Sequence, residues 1–196
     1  QAVSYLKQHK GYEDLFEGYN EADLHRGQIE KMLRLTVYRD FSKLYRFANV
    51  EQRKFLALYF KRYEVSVIKE CLNTVFDHRD VVLNLSIFDE FFNKHSQLDI
   101  NLLASSRTIE ELIANLKGTE YYAPLSQLAD IERPTLFDYE MTLDLYYFAQ
   151  MWKDRSKVVT KRDLEELTAA WGSKFDMLNL QWIYRSKRYY HMTSAQ

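Results

Sequence analysis

The sequence predicts an all-α protein made of two pseudo-repeated helical units, and three observations carry that expectation. Leu6, Lys7, Tyr12, Leu15, Glu30, Leu33 and Leu35 recur as Leu116, Lys117, Tyr122, Leu125, Glu140, Leu143 and Leu145, every pair 110 residues apart. The register then slips by two, so that Tyr59, Tyr63 and Glu64 find counterparts in Trp171, Phe175 and Asp176, as a short loop insertion would produce. A repeat of this kind marks each copy as a structural unit. The 196 residues also contain only five Gly and two Pro, where average usage would give about two dozen. Hairpin turns and Gly-rich phosphate loops are therefore mostly excluded. Finally, apolar residues step by threes and fours. Leu56, Tyr59, Phe60, Tyr63, Val67, Cys71 and Val75 form one stripe, and Leu164, Leu167, Trp171, Phe175, Leu178 and Trp182 form its repeat, at the spacing of an amphipathic helix.

Helices are expected at 4–16, 22–47, 51–76, 86–96, 108–117, 133–152 and 161–188. The first two carry the opening residues of the repeat. The third carries the Leu56–Val75 stripe, with Arg53, Lys54, Lys61, Arg62 and Glu70 mostly off it. Asp89 and Glu90 fall near the start of the fourth, where carboxylates meet the positive end of the helix dipole. Thr108 with Glu111 forms a capping box for the fifth, Pro134 suits the first turn of the sixth, and Thr160 with Asp163 starts the seventh. The polar stretches 96–106 and 153–160 read as loops. This divides the chain into a first unit, 1–85, a connecting helix and loop, 86–107, and a second unit, 108–196.

With 46% apolar, 28% charged and 15% aromatic residues, the chain has ample material for a packed core. Several rings come in adjacent pairs: Phe91-Phe92, Tyr121-Tyr122, Tyr146-Tyr147 and Tyr189-Tyr190. Neighbouring helical residues point about 100° apart, so one ring of each pair is expected in the core and the other at its boundary or in a protein interface. Cys71, the lone cysteine, reads as a small buried hydrophobe and fits a reducing compartment. The net charge of −1 offers no basic field for nucleic acid or anionic lipid. No apolar run reaches the length of a membrane span and no signal peptide is visible, so the expectation is a soluble, cytoplasmic chain. The start at Gln1 fits a fragment.

No Walker loop, dinucleotide fingerprint, nucleophile elbow or His-Glu-x-x-His pair occurs. His9, His25, His78, His95 and His191 lack helical partners that could make a metal face. His78 with Asp77 and Asp80 comes nearest, and reads as a solvated turn at a helix end. No cofactor or metal is expected. Arg185-Ser186-Lys187-Arg188-Tyr189-Tyr190-His191 interleaves bases and aromatics as single-strand binders do. A helix C-terminus favours the same cations through its dipole, and that is the preferred reading.

The stretch Phe175-Asp176-Met177-Leu178-Asn179-Leu180-Gln181-Trp182-Ile183-Tyr184-Arg185-Ser186-Lys187-Arg188-Tyr189-Tyr190 resembles the Asp-x-x-Asn-Leu-x-x-Ile-x-Arg-x-Lys-x-Tyr signature of the C-type stalk-base component of A/V-type ATPases, equivalent to the d component of the eukaryotic V-ATPase. Leu116-Lys117-Gly118-Thr119-Glu120-Tyr121-Tyr122 and Glu140-Met141-Thr142-Leu143-Asp144-Leu145-Tyr146-Tyr147 are similar to two further elements of that family, in the same order. In the first copy Val67 stands where the second has Asn179.

The resemblance implies a funnel of three helical units, of which this chain would hold two. It also implies a non-catalytic rotor subunit of a proton- or sodium-translocating ATPase. Such a protein lies peripherally on the cytoplasmic face of the membrane and joins the central-stalk subunits to the proteolipid ring. The signature residues Asp176, Asn179, Leu180, Arg185, Lys187 and Tyr189 are then either structural, bonding a neighbouring repeat, or part of a partner interface. A helical-repeat adaptor unrelated to ATPases would share the composition, and a nucleic-acid module would be marked by salt-sensitive binding.

Overall fold

A computed structural model describes residues 2–9, 11–20, 24–77 and 83–190. Among them there is no β-strand, and the chain is all-α. The helices are α1 (Ala2–Leu6), α2 (Arg26–Phe47), α3 (Val50–Phe76), α4 (Asp89–His95), α5 (Ile100–Ser105), α6 (Ile109–Asn115), α7 (Tyr122–Ser126), α8 (Leu136–Val158) and α9 (Lys161–Arg185). Short 3-10 turns cover Glu13–Phe16, Ser86–Phe88 and Gln127–Asp130, and a π-helical turn, Ser186–Tyr190, follows α9.

Two long hairpins, α2–α3 and α8–α9, frame the molecule, and their first helices begin 110 residues apart, at Arg26 and Leu136. Helix α3 is central. It packs most extensively on α8 and also meets α2, α5 and α6. From Glu64 to Val75 it is buried on nearly all sides, with Val67, Ile68 and Leu72 fully enclosed. One apolar core runs continuously from Tyr38 to Trp171. A smaller cluster of Val3, Leu15, Phe16 and Met32 ties the N-terminal segment to α2.

The α2–α3–α4 side is filled by aromatic rings. Tyr38 stacks on Phe91 at 4.2 Å and meets Tyr63 and Phe88 edge-on at 5.1 Å, favourable geometries for ring quadrupoles. The second hairpin holds a similar pair, Phe148 and Phe175, at 4.9 Å. Burial pushes the Tyr38 hydroxyl up to about 12. Cys71 is buried as expected, and desolvation likewise raises its thiol to about 12, which keeps it an unreactive thiol at neutral pH.

Several expected boundaries move, each for a local reason. The helix expected at 4–16 is broken: α1 stops at Leu6, and Gly11, at φ +97°, takes a left-handed turn before the 3-10 segment. The loop expected at 96–106 contains α5, capped by Asp99, whose carboxylate accepts from Leu102 N at 2.9 Å. The loop expected at 153–160 is largely helix. The α8 rod continues to Val158, stabilised by a Lys157–Asp154 pair at 2.6 Å and by Arg155 lying 3.9 Å over the Trp152 ring. Pro134 precedes the first turn of α8, which is instead capped by Thr135 paired with Asp138. Of the aromatic pairs, Tyr121-Tyr122 and Tyr146-Tyr147 divide between core and boundary, whereas Phe91 and Phe92 are both buried because α4 is enclosed by α2 and α3. His78, Asp80 and His191, and the side chains of Tyr189 and Tyr190, lie outside the described residues.

The tight α2–α3 connection depends on Asn49. Its Oδ1 accepts from Gln52 N at 2.9 Å, while its own N–H donates to Gln52 Oε1 at 2.9 Å, satisfying two backbone donors reciprocally. Asn49→Ala is expected to cost about 1 kcal/mol, a fall in melting temperature of roughly 2–4 °C for a chain of this size. Asn49→Asp should lose far less; equal losses in thermal melts would show that the cap does not matter.

Candidate interaction surface

Helix α9 presents two different faces. Its start is fixed by Thr160, whose Oγ1 donates to Asp163 Oδ2 at 2.7 Å and accepts from Asp163 N at 3.4 Å. The expected stripe then docks on α8. Phe175 meets Phe148 at 4.9 Å and Trp152 at 6.0 Å, Trp182 meets Phe148 at 6.0 Å, and Arg155 Nε donates to Thr168 Oγ1 at 3.2 Å. Trp171 is the deepest member of the stripe. The opposite face carries Met177, Leu180, Ile183 and Tyr184, which are 71%, 66%, 54% and 60% exposed. Met177, Leu180 and Ile183 at i, i+3 and i+6, with Tyr184 at i+7, place four large apolar side chains in water along one side of the helix, the mark of an interaction surface.

Of the signature residues, Asp176, Asn179 and Leu180 fall on and beside this outer face, whereas Arg185 lies toward the α8 side, next to Trp182. Asp176, Asn179, Leu180 and Arg185 are exposed on α9, Lys187 is exposed in the π-helical turn, and Tyr189 belongs to the same turn. The side chains of Asp176, Asn179, Arg185 and Lys187 make no hydrogen bond or ion pair with another described residue. Arg185 borders a small cleft of about 230 Å³ shared with Lys69, Glu140 and Asp144.

The other two motif stretches point inward. Glu140 Oε1 accepts from Asn73 Nδ2 at 2.8 Å and Asp144 pairs with Lys69 at 2.6 Å, closing the seam between α3 and α8. Phe76 packs on Tyr139 at the end of the same seam, so the two helices run antiparallel. In the 116–122 stretch, Gly118 at φ +88° makes the turn that sends Tyr121 into the core.

Tyr121 leads to a buried polar network that sequence reasoning missed. Its hydroxyl donates to Glu64 Oε2 at 2.6 Å, and Ser96 Oγ donates to the other carboxylate oxygen. Lys61 pairs with Glu120, which also accepts from Tyr146 at 2.8 Å. Burial pushes the Glu64 carboxyl above its ordinary value, against the opposing pull of its two hydroxyl donors, and pushes the Tyr121 hydroxyl far up as well. A cleft of about 740 Å³ opens beside these groups, flanked by His95. His95 Nε2 is buried without a partner, and burial lowers that ring's pKa. The available signal was one carboxylate set within the apolar run Tyr63–Ile68.

A second, apolar groove of about 930 Å³ lies where the two hairpin turns meet, lined by Leu44, Phe47, Phe55, Val159 and Leu167. Among the described residues no group of three His, Cys, Asp or Glu side chains could hold a metal, and no helix is long and apolar enough to cross a membrane.

Residues 1–196 match the model of the family described as ATP synthase (C/AC39) subunit. Two curated relatives both bear the name of the C-type subunit of an A-type ATP synthase. The one from Methanosarcina mazei is 28% identical over 179 residues, covering 90% of this chain and 46% of the relative. The one from Methanocaldococcus jannaschii is 24% identical over 162 residues, covering 81% of this chain and 40% of the relative. The chain thus spans less than half the length of these relatives. No solved structure matches it.

Proposed function

We propose that this chain, which belongs to the ATP synthase (C/AC39) subunit family, acts as a non-catalytic coupling subunit of an A/V-type rotary ATPase. In this reading it joins central-stalk subunits to the proteolipid ring, lying peripherally at the cytoplasmic face of the membrane. Family membership displaces the alternative of an adaptor unrelated to ATPases. We further read residues 1–85 and 108–196 as two repeat units joined by 86–107, part of a larger funnel-like set. The spacing of the two hairpins and the recurring ring pairs Tyr38–Tyr63 and Phe148–Phe175 support that reading.

The observation that carries the interface assignment is the outer face of α9. The signature side chains Asp176, Asn179, Leu180, Arg185 and Lys187 are exposed rather than spent on holding this chain together, and we place Tyr189 with them by sequence position. A rotor component that passes torque needs broad, distributed contacts, and a polar-rimmed apolar helix face supplies them.

The full-length protein is expected to co-purify with stalk subunits and with detergent-solubilised ring. Arg185→Glu combined with Lys187→Glu should lower that recovery while leaving the melting temperature of the chain unchanged. Absence of affinity for both stalk and ring would refute the coupling role.

A further inference from the structure

Glu64 is a buried charged side chain at the meeting point of three segments: α3, which carries it, the 96–99 connection between α4 and α5, and the 116–122 turn ahead of α7. Its two hydroxyl partners are not equivalent. Tyr121 is 1% exposed and fixed in the core, whereas Ser96 lies half-buried at the rim of the cleft of about 740 Å³, with Gln97 and Asp99 exposed just after it. Ser96 Oγ also accepts from Leu98 N at 3.0 Å, so one side chain holds both its own turn and Glu64. Two hydroxyls aimed at an ionised carboxyl put one hydrogen in each oxygen–oxygen gap. A proton on Glu64 adds a third hydrogen. The surplus has a way out, because the carboxyl can donate to Ser96 Oγ while the Ser96 hydrogen turns into the cleft.

We propose that the Ser96–Leu98 turn is a proton-operated latch, closed on α3 while Glu64 holds a proton and swinging outward as Glu64 ionises, so that water from the cleft reaches the carboxylate. Opening uncovers Leu98, which is 5% exposed when the latch is shut. The groups around Glu64 set the direction. Burial is the largest influence and favours the neutral form, as does Glu120, while the Ser96 and Tyr121 hydroxyls and Lys61, one turn back on α3, favour the ionised one. The end of α4 brings Lys94 and His95 to the same cleft, and α8 brings Asp154 and Lys157, which pair with each other, and Tyr146, which is bonded to Glu120. Helix α5 carries no titratable side chain, and Glu110 and Glu111 of α6 are exposed. The closed state thus holds Glu64 above the ordinary carboxylate value, to which the hydrated open state returns it. Opening is suppressed at low pH, grows as pH rises between those two values and levels off above the closed-state value. The inference is independent of the coupling role.

Hydrogen exchange of the full-length protein, read by mass spectrometry across the acidic to neutral range and corrected for intrinsic exchange rates, tests the latch. Protection of the 96–99 amides is expected to fall with rising pH, by at most about tenfold per pH unit for one linked proton. It should depend far less on urea than protection of α2, as a local opening does. Glu64→Gln should remove the pH dependence while leaving His95 in place. Lys61→Gln should move the levelling-off to higher pH and Glu120→Gln to lower pH. Exchange of 96–99 with the same urea dependence as α2 would overturn the proposal, since the turn would then open only with the whole chain. So would a pH dependence that survives Glu64→Gln, or one that Lys61→Gln and Glu120→Gln leave unmoved.

Discussion

Ile68→Asp is expected to abolish cooperative folding, while the same change at the related position, Leu180→Asp, leaves the chain folded. Ile68 is fully enclosed in α3. Removing its side chain forfeits roughly 2–5 kcal/mol in transfer and cavity terms. The new carboxylate would also be buried without a partner, at a further cost of several kcal/mol. Together these rival the roughly 5–15 kcal/mol that holds an ordinary domain together. Leu180 is 66% exposed, and a substitution at such a site is worth about 0.5 kcal/mol or less, a shift of no more than about 2 °C. Far-UV circular dichroism melts of the two variants decide the matter. An unfolded Leu180→Asp chain would mean that the outer face of α9 is part of the core.

That contrast also marks where sequence reading stops. Helical period identified α3 and α9 because each is long enough for a stripe to repeat over several turns. It assigned one stripe to α9, the one whose Phe175 and Trp182 face α8 and whose Trp171 stacks on Phe55 of α3. The second stripe, Met177–Leu180–Ile183, was equally present in the letters. Only the docking of Phe175 and Trp182 on α8 decides which stripe is covered and which stays open to water. Short elements were harder. Helices α5 and α7 span six and five residues, too few for periodicity, and depend on the Asp99 cap and on burial of Ile100, Leu103 and Leu125. The end of α8 was missed because Lys153, Asp154, Arg155 and Lys157 look like a solvated loop, although Asp154 and Lys157 pair one turn apart. The Glu64 network was out of reach, since Ser96 and Tyr121 lie 32 and 57 residues away in sequence.

The Glu64 network gives the second large expected effect, one that depends on pH. The folded chain holds the Glu64 carboxyl above its unfolded value, chiefly by burial, with Glu120 nearby adding to the shift and Ser96, Tyr121 and Lys61 opposing it. The folded state therefore binds this proton more readily than the unfolded state. The contribution of Glu64 to stability is greatest below the ordinary carboxylate range and is lost as pH rises through the folded value. Glu64→Gln removes that dependence, and its amide can still accept from Tyr121, so the variant should match or exceed the parent at neutral pH while flattening the slope. Tyr121→Phe does the opposite. It leaves a buried carboxylate with the Ser96 hydroxyl as its remaining direct partner and should cost about 1–3 kcal/mol at neutral pH, or roughly 2–12 °C in melting temperature. Because the lost hydrogen bond chiefly stabilises the ionised form, that cost should shrink on acidification, and in a Glu64→Gln background it should fall to the roughly 0.5–1.5 kcal/mol of a bond between neutral groups. Thermal melts of the two single variants and the double variant across the acidic range test this as a cycle. A Tyr121→Phe penalty that persists unchanged at low pH and in the Gln background would show that the tyrosine acts by packing alone, and that the carboxylate is held by groups other than its hydroxyl.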